Sequence, residues 1–108
     1  MKNKILQKLY QGFVQLHILH HTKEAPVYGA WMMEELKRHG YNIGPGTLYP
    51  LLNKMELSGL LIKEKQVVNG KVRKYYSITP LGLEVFKDAG KKATQLFLEI
   101  KGRQNDKI

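Results

Sequence analysis

The stretch that most constrains the fold is residues 40–61, GYNIGPGTLYPLLNKMELSGLL. Glycine and proline crowd its first third, at Gly40, Gly44, Pro45 and Gly46, and that density marks a turn. Leu48, Leu51, Leu52 and Met55 follow at i, i+3, i+4 and i+7, the stripe of a helix with one apolar face. Thr47, Tyr49, Pro50, Asn53 and Lys54 lie off that stripe. Gly59 suits a C-terminal stop. Pro50 conflicts with a helix interior, where proline forfeits a backbone bond. The conflict disappears if Thr47 is the N-cap, because Pro50 then stands at N3, where the N–H has no helical partner. An earlier start implies a kink at Pro50. A short helix after a glycine-rich turn, polar on its outer face, is suited to entering the major groove of DNA.

The charge balance fits that idea. Against 9 Asp plus Glu the chain carries 18 Lys plus Arg, a net charge of +9. Such a surface favours a polyanion, either nucleic acid or an anionic membrane surface. At 108 residues the chain is expected to be a single domain, small for burying a core alone. It has no cysteine, which excludes disulfides and thiolate metal sites. Its basic start could mimic a signal peptide, but Gln7, Lys8 and Gln11 interrupt any apolar segment. No apolar run is long enough to span a membrane. These features lead to the expectation of a cytoplasmic protein.

Taken in order, residues 4–20 read as a helix with Ile5, Leu9, Phe13, Leu16 and His20 on one stripe and Leu6 and His17 beside it. Residues 22–26 form a polar break ending in proline. A second helix is expected over 27–38, with Gly29, Met32, Met33 and Leu36 on one face and Lys37 and Arg38 at its dipole-favoured end. Gly40 is its stop, and the helix of the opening stretch is the third, over about 45–58.

After Gly59 the period changes. Residues 60–68 and 71–78 flank Asn69-Gly70, and Asn-Gly between two β-prone runs signals a hairpin closed by a two-residue type I′ turn. That turn sets Val67 opposite Val72, Leu61 opposite Ile78 and Lys65 opposite Lys74. Like charges placed directly opposite destabilise a hairpin. A phosphate lying there removes the penalty; alternatively the two lysines splay into water, where exposed charges interact weakly. Lys65, Lys71, Arg73 and Lys74 have no acid among them, which strengthens the phosphate reading. Thr79 then caps a last helix that has Pro80 at N1. Phe86, Ala89, Ala93, Leu96 and Ile100 follow by threes and fours, an a/d pattern of about two heptads. Residues 102–108 are expected to fray.

Helix, helix, turn, helix, two-stranded wing and long helix make a winged helix-turn-helix, mainly α with a small β-hairpin. The expected parts of its single domain, 1–108, are an N-terminal helix and link (1–26), the winged core (27–78), a C-terminal helix (79–101) and the tail. Several pieces of the sequence carry a resemblance. They are Tyr28-Gly29 opening the second helix, GTLYPLL at Gly46 to Leu52, Glu56 followed by Gly59-Leu60, Gly70 in the wing, and Arg73-Lys74-Tyr75-Tyr76 before Ile78-Thr79 and Gly82. Together these resemble the PadR family of bacterial and archaeal transcriptional regulators. The resemblance covers Tyr28 to Gly82 in detail and the flanking helices by pattern. It implies a homodimer built from the first and last helices and a pseudo-palindromic operator in double-stranded DNA, usually bound as a repressor. The short last helix resembles the compact branch of the family. Some compact members hold flat aromatic effectors between the dimer's terminal helices, using an aromatic near the middle of the last helix. Here that region, from Ala89 to Ala93, has none, a departure that weighs against a stacking pocket.

For contact with DNA the candidates are therefore Tyr28, Thr47, Tyr49, Pro50, Asn53, Lys54, Lys65, Lys71, Arg73 and Lys74. Each has a plainer reading. Tyr49 could pack its ring on the wing, Tyr28 could be a core tyrosine with a wet hydroxyl, and Thr47, Asn53 and Lys54 would be solvated on any ordinary helix. One of Tyr75 and Tyr76 is expected in the core, because they alternate faces, and Trp31 reads as a boundary residue. The dimer candidates are Leu9, Phe13, Leu16, Phe86, Ala89, Ala93, Leu96 and Ile100. His17, His20 and His21 have metal-like spacing, but Glu24 is the only acid nearby and cysteine is absent, so they are read as interface and surface, with pH sensing as an alternative. No nucleophile elbow, phosphate-cradling loop or metal constellation suggests an enzyme or a cofactor. The expected function is a sequence-specific DNA-binding transcriptional regulator, a dimeric repressor released by a small-molecule effector; the alternative is a winged-helix module that binds protein or RNA without a specific operator, which the fold alone does not separate from it.

Overall fold

A computed structural model describes the backbone of residues 2–106 and the side chains of residues 4–102. Its element order is α1 (Lys2–Glu24), β1 (Val27–Tyr28), α2 (Gly29–Arg38), α3 (Pro45–Leu57), β2 (Leu61–Val68), β3 (Lys71–Ile78) and α4 (Pro80–Asp106). This is the winged helix-turn-helix with an added C-terminal helix.

The first helix is longer than its sequence suggested. Thr22 does not break it, because the buried Thr22 hydroxyl donates back to the carbonyls of Ile18 (2.7 Å) and Leu19 (3.2 Å) within the helix. The turn waits for Pro26, which disfavours helix in the residue before it. Val14, Ile18 and Leu19 of α1 enter the core, whereas Ile5, Leu9 and Phe13 of the expected stripe, which includes the dimer candidates of this helix, are exposed and Leu16 is half-buried.

Val27 and Tyr28 do not start the second helix. They form a short strand pairing antiparallel with Tyr76 and Tyr75, which makes the wing a three-stranded sheet in the order β1-β3-β2. The β-branched Val27 and the extended backbone imposed around Pro26 favour that conformation. α2 then buries Gly29, Met32 and Leu36, with Met33 half-buried.

Both glycine stops behave as expected. Gly40 has φ +89 and Gly59 has φ +82. At the end of α2, Tyr41 N–H donates to Leu36 O and Gly40 N–H to Lys37 O; at the end of α3, Leu60 N–H donates to Met55 O and Gly59 N–H to Glu56 O. Each is the double bond of a Schellman cap, which uses carbonyls the helix itself leaves unpaired.

The start of α3 corrects the capping expectation. Gly44, not Thr47, is the N-cap, Pro45 opens the helix, and Pro50 lies inside it. Thr47 N–H donates to Gly44 O as part of the first turn. Pro50 therefore withholds one helical bond, but Leu48, Leu52 and Met55 are buried and hold the helix in place through packing. Leu51 is half-buried.

The wing has the register that Asn69-Gly70 requires. Both residues have positive φ, 53 and 77, and Leu61 faces Ile78, Lys65 faces Lys74 and Val67 faces Val72. Val67 and Val72 are exposed, so the tip projects from the body. Tyr76 is the core tyrosine of its pair. Beyond the wing, Gly82 N–H donates to Thr79 Oγ1 (2.9 Å) and Thr79 N–H to Leu60 O (3.1 Å), the expected cap tied down to the loop below it. α4 runs through Gly102 to Asp106 instead of ending there; residues 107 and 108 of the expected tail lie outside the described residues.

The core joins Val14, Ile18 and Leu19 of α1, Val27, Met32 and Leu36, Leu48, Leu52 and Met55 of α3, Leu61 and Tyr76. Two surfaces stay outside it. Ile5, Leu6, Leu9, Tyr10 and Phe13 are exposed on the N-terminal half of α1, and Leu96, Phe97, Leu98 and Ile100 on the C-terminal half of α4.

Candidate nucleic-acid interface

Where α2, α3 and the wing meet, a groove is lined by Tyr28, Gly29, Tyr49, Pro50, Asn53, Lys63, Arg73 and Lys74, among others. Six of the ten residues expected to contact DNA come together here. Tyr28 is the N-cap of α2, and its side chain makes no capping bond. The helix therefore presents N–H groups without a side-chain cap, and with them the positive end of its dipole, an arrangement that attracts phosphate.

Beside that helix end one cation is held by an aromatic ring. The Arg73 guanidinium lies 4.3 Å from the centre of the Tyr28 ring, and Tyr75 meets Tyr28 edge-on at 5.5 Å. Such stacking orients the planar guanidinium without consuming its charge. The Tyr75 hydroxyl first, and then Tyr28, raise the Arg73 pKa further above an already high value. Arg73 is thus a cation at every physiological pH. Lys63, which sequence reasoning did not single out, also lines the groove, but Glu56 pairs with it at 3.3 Å. Its facing partner Tyr76 in the hairpin register was the available signal.

Tyr49 lies between the start of α2 and the wing. Its ring covers Gly29 so closely that a Cβ there would fall 2.3 Å from Cε1 and 2.6 Å from the hydroxyl. Glycine at the start of α2 is what lets this phenol lie at the helix end, with the residue still 42% exposed. Asn53 and Pro50 continue the exposed face of α3.

The remaining candidates divide. Thr47 and Lys54 are exposed but line a second groove, with Pro50, between α3 and α1, near Tyr10 and Tyr41. Lys65 and Lys71 are exposed on the wing beyond either groove, Lys65 facing Lys74 across the hairpin.

On the helices expected to pair between copies, Leu9, Phe13, Ala93, Leu96 and Ile100 are exposed, and Leu16 and Ala89 half-buried. Phe86 is half-buried as well. It packs against the core of its own chain, near His20 (6.1 Å between rings) and under Lys23 Nζ (5.8 Å), where α4 crosses α1. Of the three histidines, His17 and His21 face His39, while His20 meets His21 edge-on at 4.9 Å and lies beside Phe86. Trp31 is the boundary residue expected, edge-on to His21.

Comparison with known proteins agrees with this geometry. Residues 18–88, more than half of the chain, match the model of the transcriptional regulator PadR-like family. Transcriptional regulator Rv3488 of Mycobacterium tuberculosis is 41% identical over 100 residues, covering 93% of this chain and 94% of its own. Among solved structures, a PadR family transcriptional regulator from Eggerthella lenta superposes with TM-score 0.76 at 31% identity, covering 93% of this chain and 88% of the other. A PadR-like transcriptional regulator from Bacillus cereus superposes with TM-score 0.80 at 27% identity, covering 88% and 94%. No described helix is long and apolar enough to cross a membrane. A matching winged fold, a family match across its whole reading head and a relative aligned over nearly all of both chains lead to one assignment: the chain belongs to the PadR-like family of transcriptional regulators, and it is not an enzyme.

Proposed function

We propose that the chain is a homodimeric, cytoplasmic DNA-binding repressor that recognises a pseudo-palindromic operator and is released by a small-molecule effector. The observation that carries this reading is the groove at the uncapped start of α2, where Tyr28, Tyr49, Arg73 and Lys74 converge. In the proposed complex α3 lies in the major groove and presents Thr47, Pro50, Asn53 and Lys54 to base edges and the adjoining backbone. Tyr49 and Arg73 fix a phosphate against the start of α2, and Lys65, Lys71 and Lys74 follow the flanking backbone, which relieves the facing lysine pair.

Two copies join through the apolar surfaces their own cores leave open. Leu9 and Phe13, with Leu16 beside them, pair with Ala89, Ala93, Leu96 and Ile100 of α4, and Phe86 contributes only its exposed edge. A two-fold arrangement would set the recognition helices about 34 Å apart, one turn of DNA. An effector binding beside Ala89 and Ala93 would favour a different helix spacing and lower affinity for the half-sites.

The test is a titration of the protein's own upstream DNA against random duplex, followed by fluorescence anisotropy at several salt concentrations. The proposal expects specific binding at least about a thousandfold tighter than non-specific binding. Equal affinity for every duplex would overturn it and favour a module that binds protein or RNA.

A further inference from the structure

We propose that His17, His21, Glu35 and His39 form a binding site for a divalent transition-metal ion of the zinc, cobalt, nickel and copper type. The site lies between α1 and the end of α2 and shares no residue with the groove assigned above to DNA. His17 and His21 are one helical turn apart on α1; Glu35 and His39 are one turn apart at the end of α2. Two i, i+4 pairs from two packed elements thus converge on one point.

One ring nitrogen from each of the three histidines lies within 4.8 Å of the other two. Imidazole nitrogens sharing one zinc-type ion at about 2.0–2.1 Å stand roughly 3.4 Å apart, so modest side-chain rotations would draw the three together. Glu35 brings its carboxylate to the same place, with Oε2 3.2 Å from His39 Nε2 and 3.6 Å from His21 Nε2. It can supply a fourth ligand, or hold an imidazole in the tautomer that ligation needs.

The state of His21 adds a second observation. Its Nε2 is the one buried side-chain nitrogen or oxygen among the described residues without a hydrogen-bond partner. Buried polar atoms are nearly always satisfied, and an ion is one way to satisfy this one. The rings are also held in place: His17 stacks on His39 at 4.9 Å, Tyr41 closes one side at 5.3 Å, and Trp31 meets His21 edge-on at 5.4 Å. Burial, more than the neighbouring imidazoles, lowers the pKa of His17 and of His21 against the pull of Glu35.

The donor set selects the metal class. Three imidazoles with one carboxylate suit borderline ions, and the chain has no thiolate for the softer ones. This revises the expectation that the histidines are plain surface. That expectation grouped His17, His20 and His21, whereas folding replaces His20 with His39.

The experiment uses the full chain without a polyhistidine tag, dialysed against chelator and titrated separately with cobalt(II) and zinc(II). One ion per chain is expected, with visible bands of imidazole-bound cobalt that zinc removes, and with a raised Tm in saturating zinc. Copper(II) should quench the fluorescence of Trp31, the only tryptophan in the chain. His21→Ala and His39→Ala should each weaken binding at least about tenfold, the loss that even an outer-shell partner causes. His20→Ala should bind as the wild type does. His39 is 47% exposed, so its variant should keep the fold, which far-UV circular dichroism would verify. Non-saturating titration of the wild type, undiminished affinity in His39→Ala, or an equal loss in His20→Ala would each overturn the proposal.

Discussion

Gly29→Ala tests how the reading head is built, because Gly29 has no side chain with which to touch DNA. A Cβ at this position would sit 2.3 Å from Tyr49 Cε1 and 2.7 Å from Cζ, whereas ordinary contact begins at 3.4 Å. The ring must therefore retreat by roughly 1 Å or more, a displacement that moves the phenol off the start of α2. The move is open to it, because Tyr49 is 42% exposed. Stability should change little. Alanine gains up to about 1 kcal/mol of helix propensity over glycine, less at a helix end, and the displaced ring loses packing of similar size. Operator affinity should fall by up to the worth of one good contact, about 1–3 kcal/mol, or roughly 5- to 150-fold. The assay is a double-mutant cycle on operator DNA, using wild type, Gly29→Ala, Tyr49→Ala and the double variant, with thermal melts alongside. If glycine acts through Tyr49, adding Gly29→Ala to Tyr49→Ala should cost nothing further. The reasoning fails if Gly29→Ala binds like the wild type, or if its penalty is as large when Tyr49 is already absent.

Three further outcomes follow from the same structure. Leu96→Glu places a charge on an exposed apolar stretch of α4 and should break the proposed dimer, lowering operator affinity by orders of magnitude; sedimentation that shows an intact dimer would exclude Leu96 from the seam. Lys71→Ala should weaken binding to all sequences alike and reduce the slope of log affinity against log salt by about one, which anisotropy at varied salt would measure. Gly82→Ala should destabilise the fold by about 1–3 kcal/mol in denaturant melts, because its Cβ would collide with the Leu60 carbonyl and with Ile78 Cγ1 at 2.8 Å; a more stable variant would show that α4 shifts freely at its start.

Local chemistry was sufficient where a feature depends on neighbours in the chain. Asn69-Gly70 determined the hairpin and its register, because two successive positive φ angles admit few residues and the turn aligns every pair behind it. Gly40 and Gly59 determined where α2 and α3 stop, and the Leu48–Met55 stripe determined which face of α3 lies outside the core. Tertiary structure decided the rest. A two-residue strand at Val27–Tyr28 has no period of its own and exists because Tyr75 and Tyr76 offer it backbone partners. The outward stripe on α1 was legible, but Val14, Ile18 and Leu19 became core only through the helices packed against them. Tyr49 covers Gly29, and His39 joins His17 and His21, across many intervening residues. Spacing along the chain cannot report such meetings, because they depend on the angle at which one packed element crosses another.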